Sequence, residues 1–138
     1  MESRDIWVTD ADLARLRKLL EGTRMSSTRD REHLERLNEE LGRAHVVPAP
    51  DIPPDIVTMH SRVRLRDLDS EQDMVFTLVF PSDADAAGGK ISILAPLGTA
   101  ALGFRRGDTF EWDVPGRVRR LRVEEVLYQP EAAGDYHL

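Results

Sequence analysis

The chain has 138 residues, a formal net charge of −6 and no cysteine. This length suits one domain, or one domain with a small appendage, and the missing thiols exclude disulfides, thiolate zinc sites and a cysteine nucleophile. The acidic balance disfavours general nucleic-acid binding, because neutralising phosphates requires a cationic surface. The first residues carry charges and no apolar run is long enough to span a membrane. We therefore expect a soluble, cytoplasmic protein without a membrane partner.

The first 47 residues predict a hairpin of two helices. Thr9 is placed as an N-cap, and leucines follow it at helical spacing until Gly22. A second leucine stripe ends near Gly42. Two helices of about 13 residues span only roughly 20 Å, so a coiled coil this short must lean on the rest of the protein. The polar connector that would form the hairpin tip includes Arg24, Met25, Ser26 and Ser27.

Four prolines within residues 48–54 predict a linker, since proline cannot continue a helix. Residues 55–138 then predict a strand-rich domain, in which Val63 and Leu65 alternate with arginines as in a half-buried strand. A turn at 69–72 leads to an apolar returning strand. The remaining predicted elements are a flexible loop at 81–89, strands at 90–94, 109–114 and 118–128, a helix from Pro96 to near Gly103, and turns at Gly107-Asp108 and Pro115-Gly116.

The sequence motifs predict no metal, no cofactor and no catalytic residue. The four histidines lack ligand spacing, and the acidic run that begins at Asp67 has Gln72 where a calcium loop requires glycine. The two glycines of residues 98–103 have the spacing of a phosphate-binding loop. Phe104 and Arg105 stand where that loop needs Lys and Ser or Thr, so these glycines are expected to flank a short, tightly packed helix.

Basic residues cluster at Arg105-Arg106 and again within residues 117–122. A nucleic acid, an acidic protein partner or simple solvation of a strand face could each account for them. With only 2 Trp, 2 Tyr and 4 Phe, there is little aromatic surface for stacking on bases. We expect no direct sequence-specific binding to nucleic acid.

Several segments of the second half resemble one known family. They begin with VTMHSRV at 57–63, continue with LAPLGTAALGFRRGD at 94–108 and WxVPG at 112–116, and close with YQPEAAGDY at 128–136. The chain is similar to the bacterial regulators of nucleoside diphosphate kinase, which belong to the GreA/GreB superfamily of transcript-cleavage factors. The part of the second segment from Pro96 to Asp108 is shared with Gre factors generally, whereas the first and last segments are specific to the regulator branch. The match is close over 46–138.

The resemblance implies an α+β fold. A short N-terminal antiparallel coiled-coil hairpin (1–47) and a Pro-rich linker (48–54) precede a Gre-type C-terminal FKBP-like domain (55–138), a bent antiparallel β-sheet with a short helix. It also implies docking on RNA polymerase at the mouth of the secondary channel, through a surface that contains the helix-start proline. Leu94 replaces an acidic residue of the cleavage factors. The candidate docking residues are Pro96, Leu97, Ala100, Arg105 and Arg106.

The hairpin tip departs from the cleavage factors, because residues 22–29 contain no carboxylate to hold a metal ion. Only Glu21 and Asp30 flank it. We therefore predict a monomeric, non-enzymatic regulator that binds RNA polymerase and competes with Gre-type factors without stimulating transcript cleavage. Two alternatives stay open: direct protein–protein regulation of nucleoside diphosphate kinase, and peptidyl-prolyl isomerase activity by analogy to FKBP-like folds.

Overall fold

The computed structural model describes residues 6–22, 28–114 and 117–135. Its helices are α1 (Asp10–Gly22), α2 (Thr28–Gly42), α3 (Pro96–Ala101) and α4 (Pro130–Ala133). Its strands are β1 (Trp7–Thr9), β2 (His45–Val47), β3 (Arg62–Asp67), β4 (Asp73–Val79), β5 (Lys90–Ser92), β6 (Thr109–Val114) and β7 (Arg117–Tyr128). The predicted hairpin tip at 23–27 and the turn at Pro115-Gly116 lie outside the described residues.

The larger sheet has the strand order β5-β4-β3-β7-β6. Four of its strands pair antiparallel, as predicted, but β5 pairs with β4 in parallel. The expectation of a wholly antiparallel sheet is therefore wrong at this edge. The chain leaves β4 at Val79 and crosses back through two 3₁₀ turns, Pro81–Asp83 and Ala86–Gly88, before it enters β5. Such a crossover lets a strand run in the same direction as its neighbour.

The central strand β3 shows the predicted alternation. Val63 and Leu65 are fully buried, whereas the arginines between and beside them are exposed or half-buried. The register between β3 and β7 shifts after Arg62 and again after Arg64. Each shift places an extra residue in β7, and such irregularities increase the local twist and bend of a sheet.

The hairpin is tied at its base by a second, small sheet. β1 and β2 pair in parallel, with Trp7 opposite His45, so the beginning and the end of the hairpin lie side by side. The backbone N–H of Trp7 also donates to the carbonyl of Gly103 at 3.3 Å. The predicted N-cap is confirmed, because Thr9 Oγ1 accepts from the Asp12 N–H at 3.1 Å.

One hydrophobic cluster contains side chains from both parts of the chain. Leu16 and Leu37 of the hairpin belong to the same cluster as Leu65 and Leu121 of the sheet. The hairpin thus leans on the rest of the protein, as its short length predicts. Within the described part of the chain, no helix is long and apolar enough to cross a bilayer.

Candidate docking surface

Helix α3 carries the first part of the predicted docking surface. Pro96 is exposed and occupies the first turn of the helix. Proline suits this position because a backbone N–H there would have no partner within the helix. Ala100 is half-buried, and Leu97 is buried in the core. Among the three predicted contact residues of this helix, Pro96 therefore presents the most surface.

Gly98 explains how the helix lies so close to the sheet. A Cβ at this position would stand 2.3 Å from the Ser92 carbonyl oxygen and 3.1 Å from Leu78 Cδ1. The next residue, Thr99, donates its hydroxyl to the Ile93 carbonyl at 2.6 Å. The tight packing is as predicted, but Gly98 lies inside α3 and does not flank it. The helix that bears Pro96 is thereby held closely against β5.

Arg105 and Arg106 are exposed and follow α3 closely in the chain. The Arg105 guanidinium contacts Asp55 at 3.3 Å and lies 5.8 Å from the centre of the Trp7 ring. Arg106 Nε donates to the Glu124 carbonyl at 3.1 Å. Both side chains are therefore held by neighbours while remaining accessible to solvent.

The surroundings of Arg105 include residues that sequence reasoning did not connect with it. Trp7 is half-buried and stacks on exposed His45, with ring centroids 4.9 Å apart. This cationic and aromatic group exists because β1 and β2 pair. Three-residue strands leave almost no periodic signal, so sequence reasoning could not place Trp7 beside the arginine.

Several arginines of β3 and β7 pair with carboxylates on the strand faces that the structure describes. Ion pairs join Arg64 to Glu125 at 3.3 Å, Arg66 to Asp73 at 3.4 Å, Arg120 to Asp69 at 2.9 Å and Arg122 to Glu124 at 2.5 Å. A charge-balanced strand face of this kind favours solvation over nucleic-acid binding.

The candidate tip residues Arg24, Met25, Ser26 and Ser27 lie outside the described residues. Glu21, at the end of α1, is exposed, and the side chain of Asp30 is likewise outside the described part. Over the ranges that the structure covers, no group of His, Cys, Asp or Glu is arranged to hold a metal ion.

Comparison with known proteins decides the family. Residues 52–128 match the family model "Transcription elongation factor, GreA/GreB, C-term", and residues 4–47 match the model "Rnk N-terminus". The chain belongs to the GreA/GreB family. Its docking candidates at Pro96–Ala100 and Arg105-Arg106 all fall within the part that matches the GreA/GreB model.

Individual relatives place the chain within the GreA/GreB family. It is 47% identical over 103 residues to the "Regulator of nucleoside diphosphate kinase" of Escherichia coli (strain K12), covering 74% of this chain and 76% of the relative. It is 32% identical over 96 residues to "Transcription elongation factor GreA" of Pelobacter propionicus, covering 70% of this chain and 61% of that protein.

A solved structure agrees with the fold. The chain resembles "Prokaryotic transcription elongation factor GreA/GreB from Nitrosomonas europaea" with a TM-score of 0.76 and 44% identity, covering 91% of this chain and 99% of the other. The predicted relationship to regulators of nucleoside diphosphate kinase within the GreA/GreB family is thus confirmed. These relatives carry the names of regulators or transcription factors.

Proposed function

We propose that this chain is a non-enzymatic regulator that binds RNA polymerase at the secondary-channel mouth and competes there with Gre-type factors. The observation that carries the proposal is exposed Pro96 on a rigidly packed helix inside the segment that matches the GreA/GreB model. A docking residue on a well-supported element keeps its geometry in the free protein, which lowers the entropic cost of association.

In this proposal residues 55–138 dock and the hairpin of residues 1–47 faces inward, with residues 48–54 as the connection. Arg105 and Arg106 extend the docking surface with positive charge, and the Trp7–His45 stack adds aromatic area beside Arg105. Aromatic side chains and arginine are the residue types that contribute most to protein interfaces.

The proposal includes no stimulation of transcript cleavage. A hard cation such as Mg²⁺ needs oxygen ligands, and residues 22–29 supply no carboxylate. Arg24 at the tip would add positive charge where a cleavage factor needs a negative one. Incubating backtracked polymerase complexes with this chain should therefore leave the RNA uncut, whereas a GreA control shortens it.

The docking test measures binding to purified core RNA polymerase with GreA as competitor. Pro96→Glu should weaken binding at least about tenfold, because it places a charge at the centre of the surface. Pro50→Glu is the matched control, since Pro50 is also exposed but lies in the 3₁₀ turn Ala49–Asp51 and is not one of the candidate docking residues. Unchanged affinity in a folded Pro96→Glu protein would contradict this docking surface.

Direct regulation of nucleoside diphosphate kinase is the second candidate, and the name of the Escherichia coli relative favours it. Co-purification of the two proteins without polymerase would support direct contact. The isomerase alternative is not proposed. That activity uses an aromatic-lined pocket, whereas Phe76, Phe104 and Phe110 are buried in the core.

A further inference from the structure

Three distant segments meet where α1 begins. They are the first turn of α1, the turn formed by residues 58–61, and the first turn of α4. The last two lie in the segments VTMHSRV and YQPEAAGDY, which the docking surface does not use. Their contacts with each other and with α1 give them a role inside the molecule.

Asp12 makes the contact from the hairpin side. Its side chain is 1% exposed, its Oδ2 accepts from the Met59 backbone N–H at 3.1 Å, and its Oδ1 accepts from Arg15 at 2.6 Å. Burial raises the pKa of Asp12, while the bonds from Met59 and Arg15 act in the opposite direction. A buried carboxylate is costly unless such partners are in place, so a displaced hairpin would expose or unpair it.

The turn at 58–61 is built to present the Met59 amide. Ser61 Oγ accepts from the Thr58 N–H at 2.9 Å, and the two hydroxyl oxygens lie 2.9 Å apart. His60 follows with φ of +67°, a conformation that costs a non-glycine residue energy. The surrounding bonds maintain this strained turn.

Glu131 joins the C-terminal helix to the same turn. Its Oε1 accepts the Thr58 hydroxyl at 2.7 Å. Because a hydroxyl has one proton, the Thr58 proton is committed to Glu131, and Ser61 must donate its own proton to Thr58 Oγ1. The two hydroxyls and the Glu131 carboxylate therefore form one directed chain of hydrogen bonds, and the Met59 amide of the same turn donates to Asp12.

We propose that Asp12, Thr58, Met59, Ser61 and Glu131 form a junction lock that holds the hairpin in a single orientation on the sheet. α1 and α2 form too short a hairpin to be rigid alone, so its direction depends on what holds its base. The lock supplies a buried, directional contact there, whereas hydrophobic packing alone is non-directional. It is a property of the free protein and does not rest on binding to polymerase.

Hydrogen exchange at the Met59 amide tests the lock directly. Asp12→Ala should speed this exchange about tenfold to a hundredfold, the effect of losing a hydrogen bond to a charged acceptor. The amide of Leu65, in the centre of β3, should stay protected and reports that the sheet is intact. Asp10→Ala is the matched control. Asp10 is exposed, and its substitution removes the same charge from the same turn of α1 without touching the Met59 contact.

The orientation itself can be measured because the chain has no cysteine. Spin labels attached through Glu21→Cys and Thr109→Cys, both exposed positions, would report the distance between α1 and β6. One narrow distance distribution is expected for the parent and for Asp10→Ala, and a broader one for Asp12→Ala. If Asp12→Ala does not fold, Thr58→Val removes only the hydroxyl that links Ser61 and Glu131, and should also broaden the distribution.

The lock would be overturned by a folded Asp12→Ala protein that keeps the narrow distribution and the protected Met59 amide. Equal broadening in Asp10→Ala and Asp12→Ala would also overturn it, because the cause would then be the helix charge. Neither measurement contains polymerase, so loss of polymerase binding alone would contradict the proposed function and leave the lock standing.

Discussion

Asp67 ends β3 and organises the turn that follows it. Its Oδ1 accepts from the backbone N–H groups of Asp69 and Ser70 at 2.9 and 3.1 Å, and Arg119 Nε donates to its Oδ2 at 2.5 Å. These donors, with the Ser70 N–H first, lower the pKa of Asp67 from 3.8 to about 2. The acidic run that superficially resembles a calcium loop is therefore a hairpin turn held by one ionised carboxylate.

This lowered pKa predicts an acid-sensitive contribution to stability. The ionised form is favoured in the folded state, so its contribution is present above pH 3.8 and is lost as the pH falls towards about 2. Asp67→Asn should unfold at lower urea than the parent near neutral pH, and the difference should shrink across that acidic range. Urea titrations at several pH values measure it, and a difference independent of pH would contradict the prediction.

Asp73→Asn is the control for this change. Asp73 pairs with Arg66 at 3.4 Å on the exposed face of the same hairpin. An exposed pair of this kind contributes less than about 1 kcal/mol to the free energy of unfolding. Its removal should therefore alter the urea midpoint much less than the removal of Asp67.

At the scale of elements, the chain at the start of β1 packs against Gly103, two residues after α3 ends. Gly103 has φ of +81°, and a Cβ there would lie 2.4 Å from Ile6 Cβ. Its carbonyl accepts from the Trp7 N–H, and its own N–H donates to the Val57 carbonyl at 2.9 Å. The N-terminal strand can approach this closely only because residue 103 has no side chain.

Gly103→Ala is expected to lower the free energy of unfolding by about 2–4 kcal/mol, since it adds backbone strain and a clash with Ile6. Gly107→Ala is the matched control. Gly107 also has positive φ, at +93°, but nothing lies within 4 Å of its added Cβ. Gly107→Ala should lower the free energy of unfolding by only about 1–2 kcal/mol, the cost of placing a Cβ on a left-handed backbone. Equal losses in the two variants would show that the Ile6 contact is unimportant.

Some features of these elements could be predicted from the sequence and others could not. The cap at Thr9, the start of α3 at Pro96 and the close packing at Gly98 follow from local chemistry and are confirmed. The direction of β5 and the pairing of β1 with β2 depend on contacts between distant segments, which single-sequence periodicity does not encode. The same holds for the approach of Arg105 to Trp7.

At the scale of the whole molecule, the shared core predicts how the protein unfolds. The leucines of α1 and α2 lie in one hydrophobic cluster with side chains of the sheet. The buried Asp12 carboxylate of α1 also accepts a hydrogen bond from the Met59 amide. Losing the hairpin would expose buried leucines of the hairpin and apolar side chains of the sheet in the same cluster, so the two parts should unfold together. Calorimetry on the full chain should give one transition with an enthalpy of roughly 100 kcal/mol and equal calorimetric and van't Hoff values. Two resolved transitions would show instead that residues 1–47 and 55–138 are independent folding units.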